Sequence, residues 1–228
     1  RLGLPVIDVS SDVGMMGGKV AHEFMYLSPI GEDTLAVCPG CGKAANREVA
    51  QFRKDAFATP GGELIKVATP EAKTIAELAA FLGIDARATA KAVFYWADFD
   101  AGPGKVVMAL VRGDHDANDT QVHRLSGARA LRTATPEEIA GAGAVPGYAS
   151  PIGVDRARMV VVADELVATA EGLVAGANEA GHHLLNTRCG RDYAPDAVGP
   201  LAVVHEGAPC SACGQPLALT RGIEVGNI

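Results

Sequence analysis

The sequence predicts an α/β fold of the α+β kind: an inserted domain of helices around a mixed or antiparallel sheet, held at its neck by paired cysteine knuckles. Three observations predict it. Strand-sized apolar runs at residues 106–111 and 159–163 share the chain with two helix-capping boxes, at Thr74 and Thr135. Aromatic residues are only 5% of the 228, while Gly (27) and Pro (13) abound, so the cores must be built from Ala, Val, Leu and Ile between many turns. Two matching C-x-x-C pairs stand 168 residues apart, and one metal joining them would bring the ends of the intervening segment side by side.

Residues 44–65 read as a linker, an Ala-rich charged stretch ending in the turn signal Thr59-Pro60-Gly61-Gly62. Thr74 and Glu77 then form a capping box, Ile75, Leu78, Ala79 and Leu82 recur at helical spacing, and Gly83 stops the helix. A second short helix or turn near residues 86–91 leads into Val93, Phe94, Tyr95 and Trp96. These pair across the turn Ala101-Gly102-Pro103-Gly104 with the run 105–112, as a hairpin. Asp114, His115, Asp116 and Asn118 carry metal-ligating groups but read more simply as a polar turn closing that strand. A second box, Thr135-Pro136-Glu137-Glu138, opens a helix with Pro at its first position. Residues 141–153 are a Gly/Pro-rich loop, and strands follow at 159–163, 173–175 and 183–187.

Cys38, Cys41, Cys210 and Cys213 make up the two knuckles, each followed by a glycine, Gly42 or Gly214, that eases a tight loop. Four thiolates suit a structural zinc at about 2.3 Å and leave no open position for catalysis. Two disulfides or a redox pair are the alternatives. The fifth cysteine, Cys189, has no partner in the pattern and reads as an inert thiol.

With 20 Lys+Arg against 27 Asp+Glu the net charge is −7, which argues against non-specific nucleic-acid binding but leaves room for a local groove around one nucleotide end. No apolar run approaches the roughly 20 residues of a membrane span. His22-Glu23 does not begin a zinc-protease motif, because Tyr26 stands where a second His is required. Gly141-Ala142-Gly143 lacks the spacing of a dinucleotide loop. On residue chemistry alone Lys91 reads as a lysine whose stem packs, and only one of His182 and His183 can face a given pocket from a strand. The chain opens on Arg1-Leu2-Gly3-Leu4-Pro5 without Met or a leader pattern, which reads as the middle of something larger.

Eight stretches in a fixed order resemble bacterial-type prolyl-tRNA synthetase, a class II enzyme, between its second and third signature motifs. They are Gly17-Gly18-Lys19-Val20-Ala21-His22-Glu23-Phe24; Gly31-Glu32-Asp33; Ala44-Ala45-Asn46; Thr69-Pro70 with Ala72-Lys73-Thr74-Ile75; Leu110-Val111-Arg112-Gly113-Asp114-His115; Gly147-Tyr148-Ala149-Ser150-Pro151-Ile152-Gly153; Gly176-Ala177-Asn178 with Gly181 and His183; and Arg221-Gly222-Ile223-Glu224-Val225-Gly226. Lys19-Val20-Ala21 stands where many members carry small hydroxyl residues, and Asn227 where a His is usual.

The resemblance implies three parts: residues 1–65 from the class II catalytic core with the first knuckle, residues 66–205 as the inserted editing domain, and residues 206–228 returning to the core with the second knuckle. It implies hydrolysis of alanine wrongly attached to proline tRNA. In that family's terms Lys91 engages the tRNA 3′ end, and Asp164 and His183 belong to the alanine pocket. Ile75 and Leu78 form its apolar wall, Gly147 and Pro151 bound a loop that holds the ester carbonyl, and Gly176 opens the motif that carries His183. His22 matches a histidine of the proline pocket. The resemblance further implies a cytoplasmic protein handling the tRNA(Pro) acceptor end and an alanine or proline ester, with zinc at the knuckles. ATP and Mg²⁺ would serve only the full-length enzyme, a homodimer, and ligation is not expected of these 228 residues. The rival readings are a free-standing trans-editing deacylase and a zinc-stabilised binding module without activity.

Overall fold

A computed structural model of the chain describes residues 3–12 and 21–228. The motif residues Gly17, Gly18, Lys19 and Val20 lie outside the described residues. The chain divides into two compact units, Arg1–Asp55 with Val203–Ile228, and Ala56–Ala202.

The first unit contains β1 (Val6–Ser11), β2 (Ala21–Leu27), β3 (Asp33–Val37) and β4 (Ala44–Asn46), and the chain returns to it in β13 (Ala218–Asn227). These strands close into a barrel in the order β1-β2-β13-β3-β4. Neighbours pair antiparallel except at the closure, where Ser10 of β1 meets Ala45 of β4 in parallel. Alternate residues point inward, so Val9, Met25, Leu35 and Ala44 form a buried core with Ile7 and Val37 against it. Gly222 in β13 packs closely here: a Cβ there would come within 2.6 Å of Leu35 Cδ1, and that side chain would have to shift.

One difference from the sequence reading arises here. The stretch beginning at residue 44 is not linker throughout: Ala44 and Ala45 are buried in β4, and Phe52 bridges to Cys210. Small alanines fit where the barrel closes, and their composition is what made them read as linker.

The second unit contains β5 (Ile65–Ala68), α1 (Ile75–Leu82), a 3-10 turn (Ala86–Ala88), β6 (Ala90–Asp98), β7 (Lys105–Arg112), α2 (Asp119–Ser126), β8 (Ala130–Thr133), α3 (Pro136–Gly141), β9 (Met159–Asp164), α4 (Glu165–Thr169), β10 (Leu173–Gly176), β11 (His182–Thr187) and β12 (Ala197–Gly199). A five-stranded mixed sheet runs β12-β9-β7-β6-β8, and a three-stranded sheet runs β10-β11-β5. The pairings β12/β9 and β9/β7 are parallel, whereas β7/β6 and β6/β8 are antiparallel.

The continuous apolar sequence of β7 reflects burial on both faces. Val106, Met108 and Leu110 enter one core with Met159, Val161 and Ile139; Val107, Ala109 and Val111 enter the other with Val122, Val162 and Leu201. Among the described residues no helix is long and apolar enough to cross a membrane.

Both capping boxes form, Thr74 with Glu77 and Thr135 with Glu138, and Gly83 ends α1 in the left-handed conformation. The backbone N–H of Thr74, helped by its hydroxyl and by the N–H of Lys73, holds the Glu77 carboxyl below its usual range. Because α1 carries Ile75 and Leu78, its first turn also positions the cavity described below. Thr74→Ala is expected to destabilise the second unit by about 1 kcal/mol, read as a lowered denaturant midpoint with unchanged slope. The structure adds α2, capped by the Asn118 carboxamide on Gln121 N, so Asn118 begins a helix rather than closing a polar turn.

Candidate functional site

One side of the second unit encloses a cavity of about 480 Å³, lined among others by Ile75, Leu78, Lys91, Phe94, Gly147, Ala149, Gly176 and His183. Six residues singled out from the sequence therefore meet here, carried by α1, β6, the loop after α3, β10 and β11. Ile75 and Leu78 lie one turn apart on α1, and Leu78 is anchored against Ala72 and Val174.

His183 is buried, and its Nδ1 lies 2.6 Å from Oγ1 of Thr69, itself fully buried. The Tyr148 ring packs on it at 5.5 Å between centroids. Burial pushes the imidazole below its ordinary pKa of 6.5, so the ring is neutral at pH 7. The unfolded chain then takes up the proton first. Stability is whole above about pH 6.5 and declines as the pH falls below it. His183→Phe is expected to flatten this part of the acid response, checked by denaturant midpoints between about pH 5.5 and 7.5.

Lys91 reaches the cavity with its side chain 27% exposed and pairs through Nζ with Asp116 Oδ1 at 2.7 Å; the Asp116 side chain is 81% exposed. Gly147 adopts φ +82°, and the main chain of Tyr148 occupies the space a Cβ on Gly176 would need. Gly176→Ala is therefore expected to cost about 1–3 kcal/mol and to displace the loop, read as a lower thermal midpoint.

Three sequence-selected residues lie elsewhere. Asp164 is fully buried and caps α4, its carboxylate accepting from the N–H groups of Leu166, Leu201 and Ala202 at 2.9–3.0 Å, and it is not among the residues lining the cavity. Pro151 is buried in the loop behind Ala149 and does not line the cavity. His22 belongs to β2 of the barrel, where its Nδ1 lies 2.7 Å from Asp8 Oδ1. The sequence reading missed Thr69, Tyr148 and Asp116 as partners of the pocket residues. Their only signal was inclusion in motifs or polar turns whose contacts are long-range.

In the first unit the sulfurs of Cys38, Cys41, Cys210 and Cys213 all lie within 4.8 Å of one another, with Cys38–Cys213 at 3.4 Å and Cys41–Cys210 at 3.8 Å. Thiolates at about 2.3 Å from a tetrahedral ion stand about 3.8 Å apart, so the donor set fits a single metal ion. The knuckles repeat one turn: Gly42 N donates to Cys38 O and Gly214 N to Cys210 O, while Cys38 N donates to Lys43 O and Cys210 N to Gln215 O. The backbone N–H of Cys213, and then that of Ala212, hold the Cys210 thiol down to about 6 against burial, and the Cys41 backbone lowers Cys38. Cys41 is pushed up to about 11, because the Cys38, Cys213 and Cys210 sulfurs and burial together outweigh the lowering by Lys43 N–H. Crowded sulfurs divided in this way are a set that a cation stabilises. Cys189 is half-buried, and burial raises its thiol.

The sequence profile of the aminoacyl-tRNA editing domain matches residues 69–193, a span that includes every residue lining the cavity. The chain belongs to that family. Outside the editing domain the likeness continues: the whole chain is 51% identical to a proline–tRNA ligase of Salinispora tropica and 43% identical to one of Dehalococcoides mccartyi, and in each case spans 39% of the relative's length. A solved structure described as "a putative trans-editing enzyme for prolyl tRNA synthetase" superposes with a TM-score of 0.50 at 22% identity, covering 62% of this chain and 87% of that one. At that identity it bears on the fold alone.

Proposed function

We propose that the chain is the part of a proline–tRNA ligase that removes mischarged alanine, with its editing domain hydrolysing alanyl-tRNA(Pro). The observation that carries the reading is the cavity's construction: an aliphatic wall at Ile75 and Leu78, a buried neutral His183 and a half-buried ammonium at Lys91. A synthetic pocket built for proline cannot strongly reject a smaller apolar side chain, since one methylene is worth about 1–3 kcal/mol. A second cavity that admits alanine and excludes proline supplies the missing discrimination.

In this reading Lys91 meets the phosphate or ribose of the 3′ end, and the aliphatic wall limits the side chain. Main-chain N–H groups around Gly147 and Ala149 hold the ester carbonyl. Attack comes from a positioned water, assisted by the vicinal hydroxyl of the terminal ribose. Thr74 carries the one hydroxyl among the lining residues, and that oxygen caps α1 by accepting from Glu77 N, so no covalent enzyme intermediate is invoked. Asp164 acts at a distance, by fixing the junction of β9 and α4 through three N–H bonds.

Zinc is the metal proposed for the four cysteines, as a structural ion; ATP and Mg²⁺ belong to synthesis by the full-length homodimer in the cytoplasm, where His22 would border the proline site. The acceptor end of tRNA(Pro) is the partner. Incubating this chain with alanyl- and prolyl-tRNA(Pro) tests the reading: selective release of alanine is expected, and equal or absent release overturns it. Proline-dependent pyrophosphate exchange by the chain alone is expected to be absent. A deacylase acting in trans is the second reading, taken from the printed description of the solved structure that shares the fold over 62% of this chain.

A further inference from the structure

Asn178 adopts φ +51°, in the left-handed region where few side chains other than those of Asn and Asp are common. That conformation turns its carboxamide toward the loop following α3. Oδ1 accepts from Ser150 N at 2.9 Å, while Nδ2 donates to Ser150 O at 2.9 Å and to Ile152 O at 2.8 Å. Its own backbone N–H donates to Tyr148 O at 2.8 Å. Only a primary amide offers one acceptor and two donors in this arrangement. Two residues earlier, Gly176 lets β10 lie directly against the main chain of Tyr148.

The clamped segment matters because of what it bears. Gly147 and Ala149 line the same cavity as Ile75 and Leu78, and the Tyr148 ring packs on His183. A loop drifting by even about 1 Å would change both the cavity's width and the support of the imidazole, a displacement large enough to alter rates about 100-fold in a positioned site.

We propose that Asn178 is a positioning residue that sets the size limit of the cavity by holding the main chain of residues 148–152. It touches no reacting atom in this assignment. Its effect on selectivity rests on the hydrolysis proposed above, whereas its hold on the loop does not.

The test uses the 228-residue chain with Asn178→Gly, which keeps the left-handed backbone and removes the carboxamide, and with Asn178→Asp, which keeps the acceptor but points an oxygen at two carbonyls. Amide hydrogen exchange at Ser150 and its neighbours is expected to quicken at least about tenfold in both variants, with exchange in β6 and β7 unchanged. The ratio of kcat/KM for alanyl- over prolyl-tRNA(Pro) is expected to fall at least about tenfold, a selectivity change that simple loss of stability would not produce. Unchanged loop exchange in the glycine variant overturns the proposal, and so does quickened exchange with an unchanged ratio. If the glycine variant fails to fold, the near-isosteric aspartate variant decides by the same two readouts. Should the parent itself release no alanine, the hydrolytic reading falls and the size limit with it, while the exchange result still decides the clamp.

Discussion

Cys210→Ser is expected to strip the bound metal and lower the thermal midpoint of the barrel unit by about 12–24 °C, the shift produced by losing about 3 kcal/mol in a domain of under about 100 residues. The expectation follows from where the knuckles stand. Cys38 follows β3 directly, and Cys213 stands a few residues before β13, the strand paired antiparallel with β3. One ion across the four sulfurs therefore ties the place where the chain leaves the barrel to the place where it returns, 168 residues later. Structural zinc in small domains binds with an apparent free energy of about 10–16 kcal/mol, comparable to the whole stability of a domain. Losing one ligand need sacrifice only a fraction of that. Elemental analysis of the parent is expected to give about one zinc per chain, against little in the variant. Cys189→Ser serves as the control, since that thiol belongs to the second unit and not to the four-cysteine group, and should change neither metal nor midpoint. A parent without metal, or a Cys210→Ser barrel that melts with the parent, would sink the zinc assignment.

Local signals were the ones legible in the sequence. The two capping boxes, the β6/β7 hairpin and the strands at β9, β10 and β11 stand where spacing and turn residues put them, because each is decided by residues within a few positions. The cysteine cluster was legible at long range only because paired C-x-x-C spacing carries its own geometry. What the sequence hid was decided by distant partners. The helix α2 has the polar sequence Asp-Thr-Gln-Val-His-Arg-Leu-Ser and buries only Val122, so periodicity gave it no weight. Thr69 meets His183 across 114 residues, and Asn178 meets Ser150 across 28. At Asp164 the motif match names a pocket residue, while the contacts of its carboxylate, with three backbone N–H groups, come from tertiary structure that the motif does not show. A buried carboxylate that accepts from donors of its own fold helps to stabilise the scaffold.

Lys91→Met is expected to reduce kcat/KM on alanyl-tRNA(Pro) by about 10- to 100-fold, the worth of one charge-assisted hydrogen bond at a partly buried site. Methionine keeps an aliphatic stem of similar length, so the loss reports the charge rather than the packing that alanine would also remove. In the free protein the ammonium is held by Asp116, whose carboxylate is largely in water. Such exposed pairs contribute about 0–1 kcal/mol, so an incoming phosphate can displace the carboxylate at little cost. Asp116→Asn is therefore expected to leave the rate unchanged or raise it slightly, opposite in sign to Lys91→Met. Salt separates the two accounts further. If Lys91 meets phosphate, the apparent affinity of the parent for aminoacyl-tRNA falls more steeply with salt than that of Lys91→Met, by about one released counterion. Undiminished hydrolysis by Lys91→Met would remove Lys91 from the substrate site. A reduced rate with an unchanged salt slope would leave the lysine as part of the cavity wall, acting on the ester's surroundings and not on the nucleic acid.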